Sequence, residues 1–352
     1  MNFIIAAAAV LAGIDKIFGN RLGIGKRFDE GFRLLGPLVA GMTGILYLSP
    51  ILARVLQDSI APVFGKIGLD PGILGGILPT DMGGFQLAQE LAADPNVGRM
   101  AGVFITSVFG CTFVFAIPVG FSMMKEERKP DFLLGILFGL MMLPVPVVLG
   151  GLCCGLSLGN VLLQSLPFLL ITLLLIPGMR FRPAQMIRIF TILTKLIDAV
   201  SVFGILAGLV EYLTGYSLLP GAMPMREAIA ASALCGLIMI GSLPFADILS
   251  RLFHKPLHVL GKFIGMRDSG ITVLLLTLVS LPASFAVMHD EDRNGVVLNA
   301  AFLVIAASVF GPHMAVCTTG APDLVPAFIL VKLFSGLCTV FLTGLFLRKQ
   351  AS

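Results

Sequence analysis

Eleven apolar stretches of 16 to 27 residues follow one another along this chain, separated by short polar connections: 3–18, 34–56, 71–92, 98–121, 132–154, 158–178, 187–213, 226–250, 270–288, 295–316 and 323–347. A helix needs about 20 apolar residues to cross a hydrocarbon core of about 30 Å. Only 12% of residues are charged, roughly half the share of a soluble domain. The pattern therefore predicts an all-α polytopic membrane protein whose first partner is the lipid bilayer. No polar stretch is long enough for a separate soluble domain, and the net charge of +4 reads as a topology signal, not as a nucleic-acid footprint. The N-terminal MNFIIAAAAVLAGIDK lacks a basic leader region and reads as the first membrane helix.

Two stretches, 71–92 and 270–288, are irregular. Each carries a central Leu-Pro, at Leu78-Pro79 and Leu281-Pro282. The first, GILPTDMGGFQLAQE from Gly76 to Glu90, combines a proline, two acids, two glutamines and adjacent glycines, all features that a lipid-facing helix avoids. The flanking sequence also recurs: LSPILARVLQDSIAPVFGKIGLDPGI at 48–73 resembles SLPFADILSRLFHKPLHVLGKFIGMRDSGI at 242–271. SVFG appears at Ser107–Gly110 and again at Ser308–Gly311. Four matches in one order, spaced by 194 to 203 residues, indicate an internal duplication.

Charge decides how the two copies lie. If all eleven stretches cross, the Lys and Arg of alternate connections divide 10 to 12, with no bias. If 71–92 and 270–288 instead dip in and return, 18 of the 24 lie on one side and four on the other, with Lys195 and Lys332 inside helices. The second division satisfies the positive-inside rule. The expected architecture is thus two inverted-topology repeats, with about nine spanning helices and two re-entrant hairpins; eleven spanning helices is the alternative. Repeat 1 covers 1–157 with hairpin 71–92, residues 158–186 form a connecting helix and cytoplasmic loop, and repeat 2 covers 187–352 with hairpin 270–288. The N-terminus is placed outside and the C-terminus in the cytoplasm. Broken helices meeting at the midplane of inverted repeats point to a secondary transporter.

Asp81 is the leading site residue, since a carboxylate at mid-bilayer costs at least ~2.5–3.5 kcal/mol on insertion scales and demands a partner. It reads either as counter-ion for a cationic substrate or as the salt-bridge partner of Lys195 or Lys332. Thr80 and Gln86 offer hydrogen bonds, Gly83 and Gly84 allow close approach of a ligand, and Phe85 offers a cation–π face. From the second copy, Ser284 and Asn299 are candidates. Glu90 reads as the water-facing side of a hairpin arm. His313 reads as an interfacial or structural histidine at a helix end, and Lys195 with Asp198 as a neutralising pair. The six cysteines read as small core hydrophobes, with no metal-ligand spacing. No catalytic or cofactor motif occurs, so neither an enzyme nor a cofactor or metal protein is expected.

The segments FDEGFRLLGPLVAGMTGILYLSPILA (28–53), LPTDMGGFQLAQELA (78–92) and FGPHMAVCTTGAPDLVPAFILVKLFSG (310–336) resemble the bacterial ethanolamine-utilization permease family, in register from about residue 10 to 347. The resemblance implies uptake of ethanolamine across the bacterial cytoplasmic (inner) membrane. Protonated ethanolamine fits an acidic site at Asp81, and alternating access about the two hairpins within a homodimer is the expected mode. A carrier for another small amine or polar metabolite, a channel, and an intramembrane enzyme stand as alternatives.

Overall fold

The computed structural model describes residues 2–78, 83–264 and 266–351, and among them it contains helices and no strand. The first half begins with α1 (Asn2–Ile17) and the long α2 (Gly25–Ser59), followed by the short α3 (Ala61–Lys66). The pair α4 (Ile73–Ile77) and α5 (Gly84–Leu91) comes next. Then α6 (Pro95–Arg99) leads into a π-helical segment over Met100–Gly110 and Thr112–Ala116, which ends in α7 (Ile117–Met123). Helices α8 (Lys129–Met142) and α9 (Pro144–Cys153) complete this half, and α10 (Leu158–Phe181) leads onward. The second half holds α11 (Pro183–Thr214), α12 (Met225–Ile264), the pair α13 (Asp268–Thr277) and α14 (Leu281–Met288), α15 (Arg293–Ala306), α16 (Pro312–Gly320) and α17 (Val325–Ala351).

Five helical stretches among the described residues are long and apolar enough to cross a membrane: Glu126–Cys153, Leu158–Gly178, Ala184–Thr214, Met225–Ile248 and Pro322–Lys349. The irregular stretch 71–92 folds back on itself. Gly75 lies against Ala88 and Gly72 against Ala92, so α4 and α5 run antiparallel. Leu78 has left the helix for extended backbone, φ −62° and ψ 127°, as the residue before a proline must. The stretch 270–288 folds likewise. Its break falls at Leu278–Ser280, and Pro282 sits in the first turn of α14, where the missing N–H costs nothing.

Three features differ from the sequence expectation. The stretch 295–316, expected as one helix, is two, because α15 stops at Ala306 and α16 restarts at Pro312, with Ser308 at φ +55° between them. The break is bonded to the tip of the second hairpin: Ser308 N donates to Thr277 O (2.9 Å) and Phe310 N to Leu278 O (2.8 Å). Each break thereby satisfies backbone groups that the other has freed, a requirement wherever non-helical backbone is buried in an apolar body. The stretch 98–121 is helical but mostly π, with Cys111 N donating to Thr106 O five residues back. Finally, α2 and α12 continue through much of the expected connections 15–33 and 251–268.

Helix α1 packs on α12, and α11 packs on α2. Helices α2 and α12 lie together at the centre of one side, with Thr43 Oγ1 donating to Ser232 Oγ (3.0 Å) across them. On the other side the π-helical segment is buried from Met100 to Gly110 and packs against α4, α5, α9, α15 and α16.

Candidate functional site

The first hairpin is tied at its base by Asp70, a buried carboxylate that accepts from the backbone N–H of Gly72 (2.7 Å), Ala93 (3.2 Å) and Asp94 (2.7 Å). Asp94 in turn caps α6 through Asn96 N (2.9 Å). At the opposite end α4 stops before Leu78 and α5 begins at Gly84; Thr80 and Asp81 lie outside the described residues.

Gly83 is buried against Ile45 of α2, and Gly84 against both the first arm and the π-helical segment. A Cβ on Gly84 would stand 2.6 Å from Gly75 O and 3.0 Å from Thr106 Oγ1, so only glycine fits at the start of α5. Phe85, partly buried, packs over Gly102 of the π-helical segment and Gly320 at the end of α16. Gln86 Nε2 donates to Glu90 Oε1 (2.9 Å), which also accepts from Ser49 Oγ (2.8 Å). Glu90 is therefore not the water-facing residue expected. It is partly buried, and its Oε2 has no hydrogen-bond partner among the described residues.

Beyond Thr106, Ser107 of the first SVFG motif and Ala307, just before the second, meet at a lysine. Lys332 of α17 is fully buried, and its ammonium donates to Ser107 O (3.0 Å) and Ala307 O (2.9 Å). Its Nζ also lies 3.4 Å from His313 Nδ1 and 5.3 Å from the centre of the Phe328 ring. His313, expected as an interfacial or structural histidine, is buried, with Nδ1 3.1 Å from Ala307 O. A cavity of about 10 Å³, room for about one water, is lined by Gly102, Thr106, Ser107, His313 and Cys317.

The second-half candidates lie within the framework of their own hairpin. Ser284 Oγ is 2.7 Å from Thr277 Oγ1, which clasps α14 to α13. Asn299 Nδ2 donates to Gly270 O (3.1 Å) and Gly295 O (2.9 Å), joining α15 to α13. Its Oδ1 is buried with no hydrogen-bond partner among the described residues. Beside this hairpin's tip a cavity of about 160 Å³ is lined by Arg27, Asp247, Thr272, Val279 and Ser280. Lys195 and Asp198 are exposed on α11 with no ion pair between them; this corrects the expected neutralising pair.

The structure thus sets Gly84 against Thr106, brings Thr106, Ser107 and His313 to one small cavity beside Lys332, and places Ser284 and Asn299 in the second hairpin's own ties. Sequence reasoning used SVFG as a marker of duplication and missed Thr106 and Ser107 as site residues, although the repetition was itself the signal. Among the described residues no group of three or more His, Cys, Asp or Glu is placed to hold a metal ion.

A family model described as "Ethanolamine utilisation protein, EutH" matches residues 1–346. The probable ethanolamine permease EutH of Listeria monocytogenes is 34% identical over 342 residues, covering 97% of this chain and 91% of that protein. The protein of the same name from Escherichia coli K12 is 30% identical over 359 residues, covering 95% and 88%. YxeR of Bacillus subtilis is 34% identical over 339 residues, covering 95% and 90%. No solved structure matches the chain. With a family model spanning nearly its whole length and relatives matched end to end, this multi-pass membrane protein belongs to the EutH family of ethanolamine utilisation proteins.

Proposed function

We propose that the chain carries protonated ethanolamine into the cell across the bacterial cytoplasmic membrane by alternating access. The observation that carries this reading is the meeting of the broken helix α15–α16 with the π-helical segment at the buried Lys332, in a family whose relatives are named probable ethanolamine permeases. Ethanolamine is an aliphatic amine, protonated at neutral pH much as lysine is with its pKa of about 10.4. Its ammonium requires a carboxylate or an aromatic face, and its hydroxyl a hydrogen-bond partner. Asp81, with Thr80, Gly83, Gly84, Phe85 and Gln86, forms the binding site in this reading, and Ser284 and Asn299 hold the opposing hairpin. Lys332 competes with the substrate for the Asp81 carboxylate.

Halves 1–157 and 187–352, joined by 158–186, are inverted repeats in this reading, with each hairpin entering from its own face. The Lys and Arg bias places the N-terminus outside and the C-terminus inside. The cavity beside Ser280 is then the cytoplasmic vestibule. A negative-inside potential contributes about 2.3 kcal/mol per 100 mV to inward movement of one positive charge, enough to accumulate the cation without a coupled ion. The working unit in this reading is a homodimer, checked by the mass of the detergent-solubilised protein.

The test is counterflow of labelled ethanolamine into proteoliposomes. The expected result is saturable exchange, lost more than tenfold in Asp81→Asn at unchanged expression. No exchange in the native protein would remove ethanolamine as substrate, and near-native exchange in Asp81→Asn would remove the counter-ion role. Trans-stimulation separates a carrier from a channel.

A further inference from the structure

A buried ammonium on a membrane helix costs several kcal/mol unless the surrounding structure replaces its water, so the acceptors around Lys332 must be accounted for. Within a continuous helix the Ala307 carbonyl would accept from Gly311 N. Here Gly311 N turns back to Ser308 O (3.0 Å) instead, and the residue that follows, Pro312, has no N–H. The Ala307 carbonyl therefore belongs to the C-terminal end of α15, where unpaired carbonyls and the helix dipole together carry partial negative charge. Ser107 O comes from the other half, out of the π-helical segment, and its second lone pair is available to a further donor. The arrangement is one that binds small cations in broken-helix transporters generally: backbone carbonyls and a half-helix C-terminus at a buried break. In this chain a side-chain ammonium fills it, with bonds of 2.9 and 3.0 Å. His313 Nδ1 either donates to Ala307 O or accepts from Lys332, according to its tautomer.

We propose that the Lys332 ammonium is a resident monovalent cation, occupying a cation site between the halves in place of a free ion. Transport by the native protein then needs neither sodium nor potassium. Shortening Lys332 to alanine leaves an empty site of matching charge and size, which ammonium, potassium or sodium enters, ammonium best because it reproduces the N–H···O bonds. Phe328, beside the ammonium, adds a face that accepts any of these cations.

The transport readout rests on the ethanolamine reading above, so a direct binding readout accompanies it. In proteoliposomes, native exchange is expected at equal rates in sodium, potassium and N-methylglucamine buffers. Lys332→Ala is expected to lose exchange at least tenfold in N-methylglucamine and to regain most of it with added ammonium. Lys332→Met, which fills the space with an apolar chain, is expected to lose exchange without rescue. In detergent, the unfolding temperature of Lys332→Ala should rise with ammonium or potassium while that of the native protein does not. Native exchange that requires sodium or potassium would overturn the proposal, and this arm decides even where the alanine variant fails to fold. A folded Lys332→Ala that exchanges normally without cations, or responds to none of the three in either readout, would also overturn it. If the native protein exchanges no ethanolamine in any buffer, the substrate reading fails, and cation-dependent stabilisation of Lys332→Ala still decides the site.

Discussion

A methyl group on Gly311 should undo the docking of the α15–α16 break onto the second hairpin. A Cβ at this position would lie 2.4 Å from Val279 O, well inside contact distance. The acceptor is backbone, so no side chain can swing away to relieve the clash. Either the hairpin tip or the break must move, and the two bonds between them, Ser308 N to Thr277 O at 2.9 Å and Phe310 N to Leu278 O at 2.8 Å, are the contacts stretched. Each is worth ~0.5–1.5 kcal/mol net when intact, and a buried group left unpaired costs ~1–3 kcal/mol. Gly311→Ala should therefore destabilise by ~2–5 kcal/mol. At roughly 2–4 °C per kcal/mol for a chain of a few hundred residues, the unfolding temperature falls by ~5 °C or more. The chain has no tryptophan, so intrinsic indole fluorescence cannot report the transition. It does have four buried cysteines, Cys111, Cys154, Cys235 and Cys317, and a thiol-reactive fluorogenic maleimide in detergent reads their exposure. Gly159→Ala serves as control, because nothing lies within 4 Å of a Cβ there. If Gly311→Ala unfolds within ~1 °C of the native protein, the docked break is not a structural joint and the reasoning fails.

Three further outcomes follow from the same contacts. In a double-mutant cycle on Ser284→Ala and Thr277→Val, read by the same thermal assay, the coupling should be ~0.5–1.5 kcal/mol, given the 2.7 Å hydroxyl contact; additivity would show that it does not clasp the hairpin. Asp70→Asn turns an amide N–H₂ toward backbone donors that a carboxylate accepts from, and should cost ~2–3 kcal/mol, measured by chemical denaturation in mixed micelles. For topology, single cysteines at Ala93 and Asp290, in a background with the exposed Cys153 replaced, should label from opposite faces with a membrane-impermeant maleimide, Ala93 from outside. Labelling of both from one face would refute the inverted arrangement.

How much of this was legible in the sequence depended on which residues carried the information. The two interruptions of helix were visible because prolines and polar residues break apolar runs at Leu78-Pro79 and Leu281-Pro282, and a proline constrains the backbone wherever it lies. The helical class was visible in the apolar stretches. The π-helical segment was not, because apolarity reports burial and no residue type marks a bond to the fifth residue back instead of the fourth. Ser284 and Asn299 were legible as buried polar groups, but whether such a group ties two helices or faces a ligand depends on what stands opposite it.

The two SVFG copies show where the limit falls. The same four residues continue as π-helix in the first copy and belong to a break in the second. What differs is the residue that follows: Cys111-Thr112 in one, Pro312-His313 in the other. Pro312 has no N–H to give Ser308 O, and in a continuous helix its ring would collide with that carbonyl. The second copy must therefore leave the helix before residue 312, which frees the Ala307 carbonyl, whereas the first copy keeps its helix and presents Ser107 O from an intact turn. Lys332 thus takes one acceptor from a broken helix and one from an unbroken one. Ser107 opens its motif whereas Ala307 stands just before the other, so the two carbonyls are not equivalent positions, and the proline adds that Ala307 O lies at a helix end with the Gly311 amide turned to Ser308 O instead.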